Sequence, residues 1–231
     1  MKTIIIGDIH GCYEEFIALL EKCVFCPEED KLILNGDLMD RGPCSWEVLQ
    51  KVKQLSLEMG DRFILIRGSH EKLLLDSSKN WQDWVLWNLV GKRSAVKSFR
   101  QHGEDLLSSR AWIESNSRLW YQEPLFQCAH AGIKTEKIED NDEHTLLMDH
   151  SVTRKNTYAG KLTITGHIHL MEPTWFDGSG GKGKPLPYGE WLPLPEKGVI
   201  CLDTGCAEGN KLTAMVVSDG RYRLHCVKRR K

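Results

Sequence analysis

The sequence predicts an α/β fold with an additional β portion near its C-terminus, and three observations support this. Over residues 3–66, short apolar strands alternate with segments of helical periodicity, as in a parallel sheet with crossover helices. Further apolar strands are predicted at residues 125–129 and 161–165. After residue 198, apolar runs follow one another with only a short turn between the last two, which predicts antiparallel strands.

Five of the predicted strands end in an Asp or His residue. Because α/β sheets place their ligands at the carboxyl ends of the strands, these residues are candidates for one shared site. Carboxylate and imidazole groups together suit a divalent transition metal. The strands 3–6, 32–34, 63–66, 125–129 and 161–165 lead into GDIHG (7–11), GDLMDRG (36–42), RGSHE (67–71), HAG (130–132) and GHIH (166–169).

Two amphipathic helices are predicted between the first three strands, at residues 12–23 and 45–57, with Ser45 as the N-cap of the second. Residues 80–120 predict a helical insertion that is rich in tryptophan. We expect these tryptophans to be core residues rather than a recognition platform. The late strands, at 199–202, 212–217 and 222–227, predict an antiparallel second sheet.

The Gly- and Pro-rich stretch 177–195 predicts a mobile loop. It nearly matches a phosphate-binding loop, but Pro185 stands where Ser or Thr should bind magnesium and begin a helix. No strand is predicted to lead into it and no helix to leave it. A P-loop is therefore excluded, and contact between its lysines and an anionic substrate stays open.

Charge and cysteine content exclude other classes of function. The net charge is −1, so no broad basic field attracts nucleic acid, and the four-residue basic end (228–231) is expected to be solvated. No segment predicts a membrane span or an export signal, so we expect a cytoplasmic protein whose eight cysteines are reduced. Cys23 and Cys26 lack the second pair that a zinc ribbon requires.

The ordered motifs GDIHG, GDLMDRG, RGSHE, HAG and GHIH resemble the binuclear metallophosphoesterase (calcineurin-like) superfamily. The closer resemblance is to the phosphoprotein phosphatase branch with its bacterial serine/threonine phosphatases, near the symmetrical diadenosine tetraphosphatases. It implies a single domain over residues 1–231, with a four-layer α/β/β/α sandwich of two mixed sheets, flanking helices and a helical insertion.

The resemblance also implies two divalent metal ions, with Mn²⁺ as the expected metal and Fe or Zn as alternatives. Asp37 would bridge the two ions. His169 matches a second histidine that many superfamily members use at the first ion but phosphoprotein phosphatases usually lack, so its role stays open. Ser69 stands where the family has an asparagine ligand of the second ion, which implies weaker binding there. The remaining implied ligands are Asp8 and His10 for the first ion, and His130 and His167 for the second.

For catalysis, the resemblance implies in-line attack of metal-bound hydroxide on a phosphate ester. His70 matches the general acid that protonates the leaving group, and Asp40 would keep it charged and oriented. Arg41 matches the arginine that grips the phosphate, and Arg154 is a second candidate. Glu71 is expected to support the same loop. Arg67 is expected to be structural.

These residues predict a metal-dependent phosphomonoesterase acting on phosphoserine or phosphothreonine in proteins, or on small phosphoesters. Hydrolysis of dinucleoside polyphosphates is an alternative within the same chemistry. A degenerate phosphatase that only binds phosphorylated partners is an alternative of another class. Only Ser69 supports the hypothesis of a degenerate phosphatase. The residues Asp40, Arg41 and His70, which catalysis needs, are all present.

Overall fold

The computed structural model describes residues 1–230 and contains two mixed β-sheets. The strands are β1 (Thr3–Ile6), β2 (Lys31–Leu34), β3 (Phe63–Ile66), β4 (Ser117–Arg118), β5 (Trp120–Gln122), β6 (Gln127–Ala129), β7 (Thr163–Thr165), β8 (Thr174–Phe176), β9 (Lys184–Pro185), β10 (Leu192–Pro193), β11 (Val199–Cys201), β12 (Lys211–Ser218) and β13 (Arg221–Lys228). The helices are α1 (Tyr13–Lys22), α2 (Ser45–Met59), α3 (Ser69–Asp76), α4 (Trp81–Val90), α5 (Lys92–Gln101), α6 (Arg110–Asn116), α7 (Glu143–Met148) and α8 (Ser151–Lys155).

The first sheet has the strand order β10-β13-β12-β1-β2-β3-β4, and the second has the order β5-β6-β7-β11-β8-β9. Within the first sheet, β1 to β4 run parallel, which agrees with the crossover helices predicted between them. In the second sheet, β6, β7 and β11 run parallel. The parallel strands that carry the sequence motifs therefore lie in both sheets.

The side chains of β1 show how the layers stack. Ile4 and Ile6 are fully buried in a cluster that contains Phe16 of α1 and Leu49 of α2. Ile5 points to the opposite face, as strand geometry requires, and packs in a second cluster with Ile164 and residues of the other sheet. A third cluster covers the far face of the second sheet. This arrangement confirms the predicted four-layer α/β/β/α sandwich.

Two predictions about the late strands and the second helix are corrected by the structure. The strands β12 and β13 form the predicted hairpin, but β12 pairs with β1 and so extends the first sheet. Apolar pattern alone does not specify a strand's partner. Ser45 is the first residue of α2 rather than its cap, and its hydroxyl accepts a hydrogen bond from the Asp40 N–H at 3.1 Å.

The predicted helical insertion corresponds to α4, α5 and α6, after which Trp120 lies in β5. Trp87 is buried, as expected for a core tryptophan, but Trp81 and Trp84 are 71% and 39% exposed. The prediction that these two belong to the core is wrong. The helix α4 carries large apolar residues on every side, and only one face can pack against the body of the protein.

The stretch 177–195 also differs from its prediction in one respect. Strand β8 leads directly into it, and the short strands β9 and β10 lie within it. No helix follows it among residues 1–230, so the exclusion of a P-loop stands. Within the same described range, no helix combines the length and the apolar composition that crossing a membrane demands.

Candidate metal centre

The motif residues converge where strands of both sheets end. The loops after β1 and β2 supply Asp8 and Asp37, and the first turn of α3 supplies His70. The loops after β6 and β7 supply His130 and His167. Four of these five side chains are buried, and His167 is partly exposed. The two-sheet architecture thus brings together residues that are as many as 159 positions apart in the sequence.

The backbone is strained at this convergence point. Five non-glycine site residues adopt the left-handed conformation, which L-amino acids avoid because Cβ crowds the carbonyl oxygen. Such residues cost on the order of 1–3 kcal/mol each and are retained mainly where function needs them. Their φ angles are 45° at His10, 48° at Asp37, 71° at Asp40, 61° at Arg41 and 65° at His167.

Asp37 is the centre of the cluster. The Nε2 atoms of His10 and His130 lie 3.6 and 3.4 Å from its Oδ2 atom, and both are buried without a hydrogen-bond partner. On each ring, Nδ1 lies 2.7–2.8 Å from a backbone carbonyl and donates to it, which leaves Nε2 free to act as a ligand. Two imidazole nitrogens and a carboxylate directed at one another fit a bound cation.

The described residues form two potential ligand groups that share Asp37. One contains His10, Asp37 and His70, and the other contains Asp37, His130 and His167. Within each group, the candidate ligand atoms lie within 4.8 Å of one another. A carboxylate shared between two sets of N and O donors is the arrangement that a pair of divalent ions requires. The individual ligand assignments remain predictions.

The charge states around Asp37 follow from the same geometry. Burial alone would raise the pKa of Asp37, but His130 and His70 outweigh it and hold this pKa well below its usual range. The attraction is mutual: against the effect of burial, Asp37 raises the pKa of His130 to about 10. Burial lowers the pKa of His10, and with His130 it lowers that of His167 to about 3. The charged form of the shared carboxylate is therefore favoured by the histidines around it.

Asp8 adds a second buried carboxylate to the cluster. Its oxygens accept the backbone N–H of His167 at 3.0 and 3.2 Å. Burial and the neighbouring Asp203 raise the pKa of Asp8 well above its usual range. Burial also raises the pKa of Asp203 to about 6. Several carboxylates this close in a buried site need positive charge, which bound cations would supply.

Glu71 supports the loop that carries Asp37, as expected. Its carboxylate accepts the backbone N–H groups of Asp37, Leu38 and Gly68 at 2.8–2.9 Å. Ser69, at the start of α3, donates its hydroxyl to Asp37 Oδ2 at 3.1 Å. Ser69 therefore contacts the shared carboxylate itself.

We expect Ser69→Asn to tighten binding of the second ion by on the order of tenfold, since an amide oxygen reaches further than a hydroxyl and polar groups around a metal change affinity on this scale. Calorimetric titration of the metal-free protein with Mn²⁺ measures this. Ser69→Ala, which removes the hydroxyl without adding an amide, is the matched control. Unchanged affinity and turnover in the asparagine variant would show that position 69 lies outside the metal site.

Asp40 and His70 form a hydrogen-bonded dyad. His70 Nδ1 lies 2.7 Å from Asp40 Oδ2, and Trp87 donates its indole Nε1–H to the same oxygen at 2.6 Å. All three side chains are buried. The Trp87 indole therefore holds the Asp40 carboxylate in place, and this carboxylate in turn orients the His70 imidazole. No sequence pattern predicts this hydrogen bond of Trp87, because a buried tryptophan is ordinary in a helical segment.

We expect Trp87→Phe to lower kcat by about tenfold, because Asp40 loses a hydrogen bond to its charged oxygen, an interaction worth about 1.5–3 kcal/mol. Metal content should not change. The matched control is Trp81→Phe on the exposed side of the same helix. Steady-state kinetics with a phosphopeptide measures the effect, and equal activity of the two variants would contradict the role given to Trp87.

Arg41 lies beside the dyad. Its guanidinium forms an ion pair with Glu208 at 2.7 Å, and its second nitrogen lies 3.3 Å from His70 Nε2. The Arg41 guanidinium and the protonated His70 imidazole can both donate hydrogen bonds, and both face the same point, as expected where an anion binds. The sequence did not single out Glu208. The nearest sequence signal is Asp203, which directly follows a predicted strand.

The remaining candidates lie at the edge of the cluster. His169 is exposed and lies next to Gly205, outside both potential ligand groups among the described residues. Arg154 is an exposed residue of α8. Both assignments stay predictions. His150 was not predicted, yet its Nε2 atom lies 3.3 Å from His167 Nε2. Arg67 bonds Ser117, in agreement with a structural role.

Comparisons with known proteins agree with this geometry. The family model described as calcineurin-like phosphoesterase matches residues 1–171. The symmetrical bis(5'-nucleosyl)-tetraphosphatase of Salmonella arizonae is 28% identical over 96% of this chain and 93% of its own. A metallophosphoesterase from Sphaerobacter thermophilus matches all of this chain and 90% of its own with a TM-score of 0.64 and 13% identity.

A protein serine/threonine phosphatase from Saccharomyces cerevisiae matches with the same TM-score of 0.64, at 15% identity, over all of this chain and 81% of its own. At such identities, the two structural likenesses establish the fold alone. Proteins with different substrates share this fold, so the substrate has to be argued from the site.

Proposed function

The chain belongs to the calcineurin-like phosphoesterase family, and from this premise we propose that it hydrolyses phosphomonoesters, with phosphoserine and phosphothreonine as its substrate class. The single observation that supports this is the dyad of Asp40 and His70 beside Asp37. An alkoxide is a poor leaving group, and a positioned acid that protonates it accelerates its departure by about 10²–10⁴-fold.

The protein's own groups have distinct tasks in this reaction. Arg41, held by Glu208, binds the phosphate. His70 delivers a proton from Nε2 to the departing oxygen, while Asp40 keeps its Nδ1 atom oriented. Two divalent cations would be held by Asp8, Asp37, His10, His130 and His167. When bound, these cations neutralise the phosphoryl oxygens and make the attacking water more acidic.

A second candidate is hydrolysis of dinucleoside tetraphosphates. It is favoured by the relatives named symmetrical bis(5'-nucleosyl)-tetraphosphatase, which align over nearly the whole chain. The scissile bond of a dinucleoside tetraphosphate is an anhydride, and its phosphate leaving group needs less help from a general acid. The dyad therefore supports hydrolysis of phosphomonoesters more directly than hydrolysis of dinucleoside tetraphosphates.

The two candidates are separated by one assay. The purified protein with Mn²⁺ is given p-nitrophenyl phosphate, a phosphoserine peptide and diadenosine tetraphosphate. We expect hydrolysis of the first two. Hydrolysis of diadenosine tetraphosphate alone would overturn the proposal. Binding of the peptide without hydrolysis of any compound would instead support a degenerate phosphatase that recognises phosphorylated partners.

A further inference from the structure

A cavity of about 850 Å³ lies between α4 and α5 in the helical insertion. One wall carries Trp87 and Asn88 of α4, and the segment 104–107 forms the opposite side. None of the functions assigned above uses this cavity. We call it the cationic groove, because four basic residues of α5 line it: Lys92, Arg93, Lys97 and Arg100.

Within residues 1–230, no Asp or Glu oxygen comes within 4.0 Å of the charged nitrogens of these four residues. Two acidic residues also line the groove, and one of them, Asp105, uses its carboxylate to accept the Leu107 N–H at 3.0 Å. The groove therefore keeps an excess of positive charge in a protein whose net charge is −1.

The groove is joined directly to the catalytic dyad. Trp87 forms part of its wall and donates its indole N–H to Asp40. The Lys92 ammonium lies 4.6 Å from the centre of the Trp87 ring, and the adjacent Gly91 carbonyl accepts the Arg41 N–H at 3.3 Å. The groove wall therefore contacts the Asp40 side of the dyad, and the residue before α5 contacts the backbone of the phosphate-binding Arg41.

We propose that the cationic groove binds acidic side chains that flank the phosphorylated residue of a peptide substrate. This inference rests on the proposed phosphomonoesterase function. Lys92 and Arg100 are eight positions apart on one helix, a rise of about 12 Å. An extended peptide covers that length with about four residues. Arg93, Lys97 and Arg100 are exposed and follow one another along one helix, which suits carboxylates on successive residues better than an enclosed nucleobase.

The test compares two phosphoserine peptides of otherwise identical sequence. One carries Glu, and the other carries Gln, at the four positions before and the four positions after the phosphoserine. At low ionic strength, we expect kcat/KM for the Glu peptide to exceed that for the Gln peptide by about tenfold. The advantage should shrink as salt is added, because exposed charges are screened. The charge-reversal variant Arg93→Glu/Lys97→Glu should bring the ratio close to one or invert it.

The matched control, Lys137→Glu/Lys228→Glu, makes the same change in net charge at two exposed lysines outside the groove, and should keep the wild-type ratio. Hydrolysis of p-nitrophenyl phosphate with equal use of both peptides would overturn the groove assignment and leave the proposed function standing. A groove variant that loses only diadenosine tetraphosphate hydrolysis would assign the groove to a nucleotide and overturn the inference. Failure to hydrolyse any phosphomonoester would overturn the proposed function and, with it, this inference.

Discussion

Asp37→Asn is expected to lower turnover by on the order of 10³-fold or more and to abolish binding of at least one metal ion. The amide has one neutral oxygen in place of two charged ones, so it cannot bridge two cations. No other described carboxylate lies in both ligand groups, so none can replace Asp37. The loss should be large because uncatalysed hydrolysis of phosphate monoesters is extremely slow. Metal analysis after gel filtration, together with steady-state kinetics, measures both effects.

The matched control is Asp61→Asn, at an exposed residue between α2 and β3 that belongs to neither ligand group. It should bind metal and turn over substrate as the wild type does. An Asp37→Asn protein that still holds two ions per chain would remove Asp37 from the centre of the site.

His70→Asn is expected to lower kcat for a phosphoserine peptide by about 10²–10⁴-fold, because the leaving alkoxide must then depart without a proton. The loss should be smaller for p-nitrophenyl phosphate, whose leaving group is already a stable anion. Metal content should be unchanged. Since His70 also lies in a potential ligand group with His10 and Asp37, an equal loss of metal would make it a ligand instead of an acid.

The pH dependence gives an independent test of the same role. Burial alone would lower the pKa of His70, but Asp37 and Asp40 raise it above its ordinary value of 6.5. The acid works only when protonated, so activity should fall as the pH rises through this raised pKa. Asp40→Asn removes part of the raising effect and should move the alkaline limb to lower pH. An alkaline limb at the same pH in the variant would show that Asp40 does not raise the pKa of His70.

Much of the candidate site was predictable from the sequence because its residues directly follow short apolar strands. Asp8, Asp37 and His130 each stand at such a strand end, where the chain must turn and where parallel sheets collect ligands. The supporting role of Glu71 was also predictable, since it lies in the first turn of the helix that follows β3.

The residues that were missed contact the site through tertiary packing. Trp87 reaches Asp40 only because α4 folds back over the loop after β2, and Glu208 reaches Arg41 from a loop 167 positions away. The partner of β12 was missed for a related reason. A strand whose residues 212–217 are buried on both faces fits the interior of either sheet, so the pairing depends on the rest of the fold.

Anomalous scattering from crystals grown with Mn²⁺ would locate the two cations that Asp37 is proposed to share. We expect two peaks about 3.5–4 Å apart, with the Asp37 carboxylate between them. His10 should lie on one side and His130 on the other. A single peak, or two peaks of which only one contacts Asp37, would contradict this proposal.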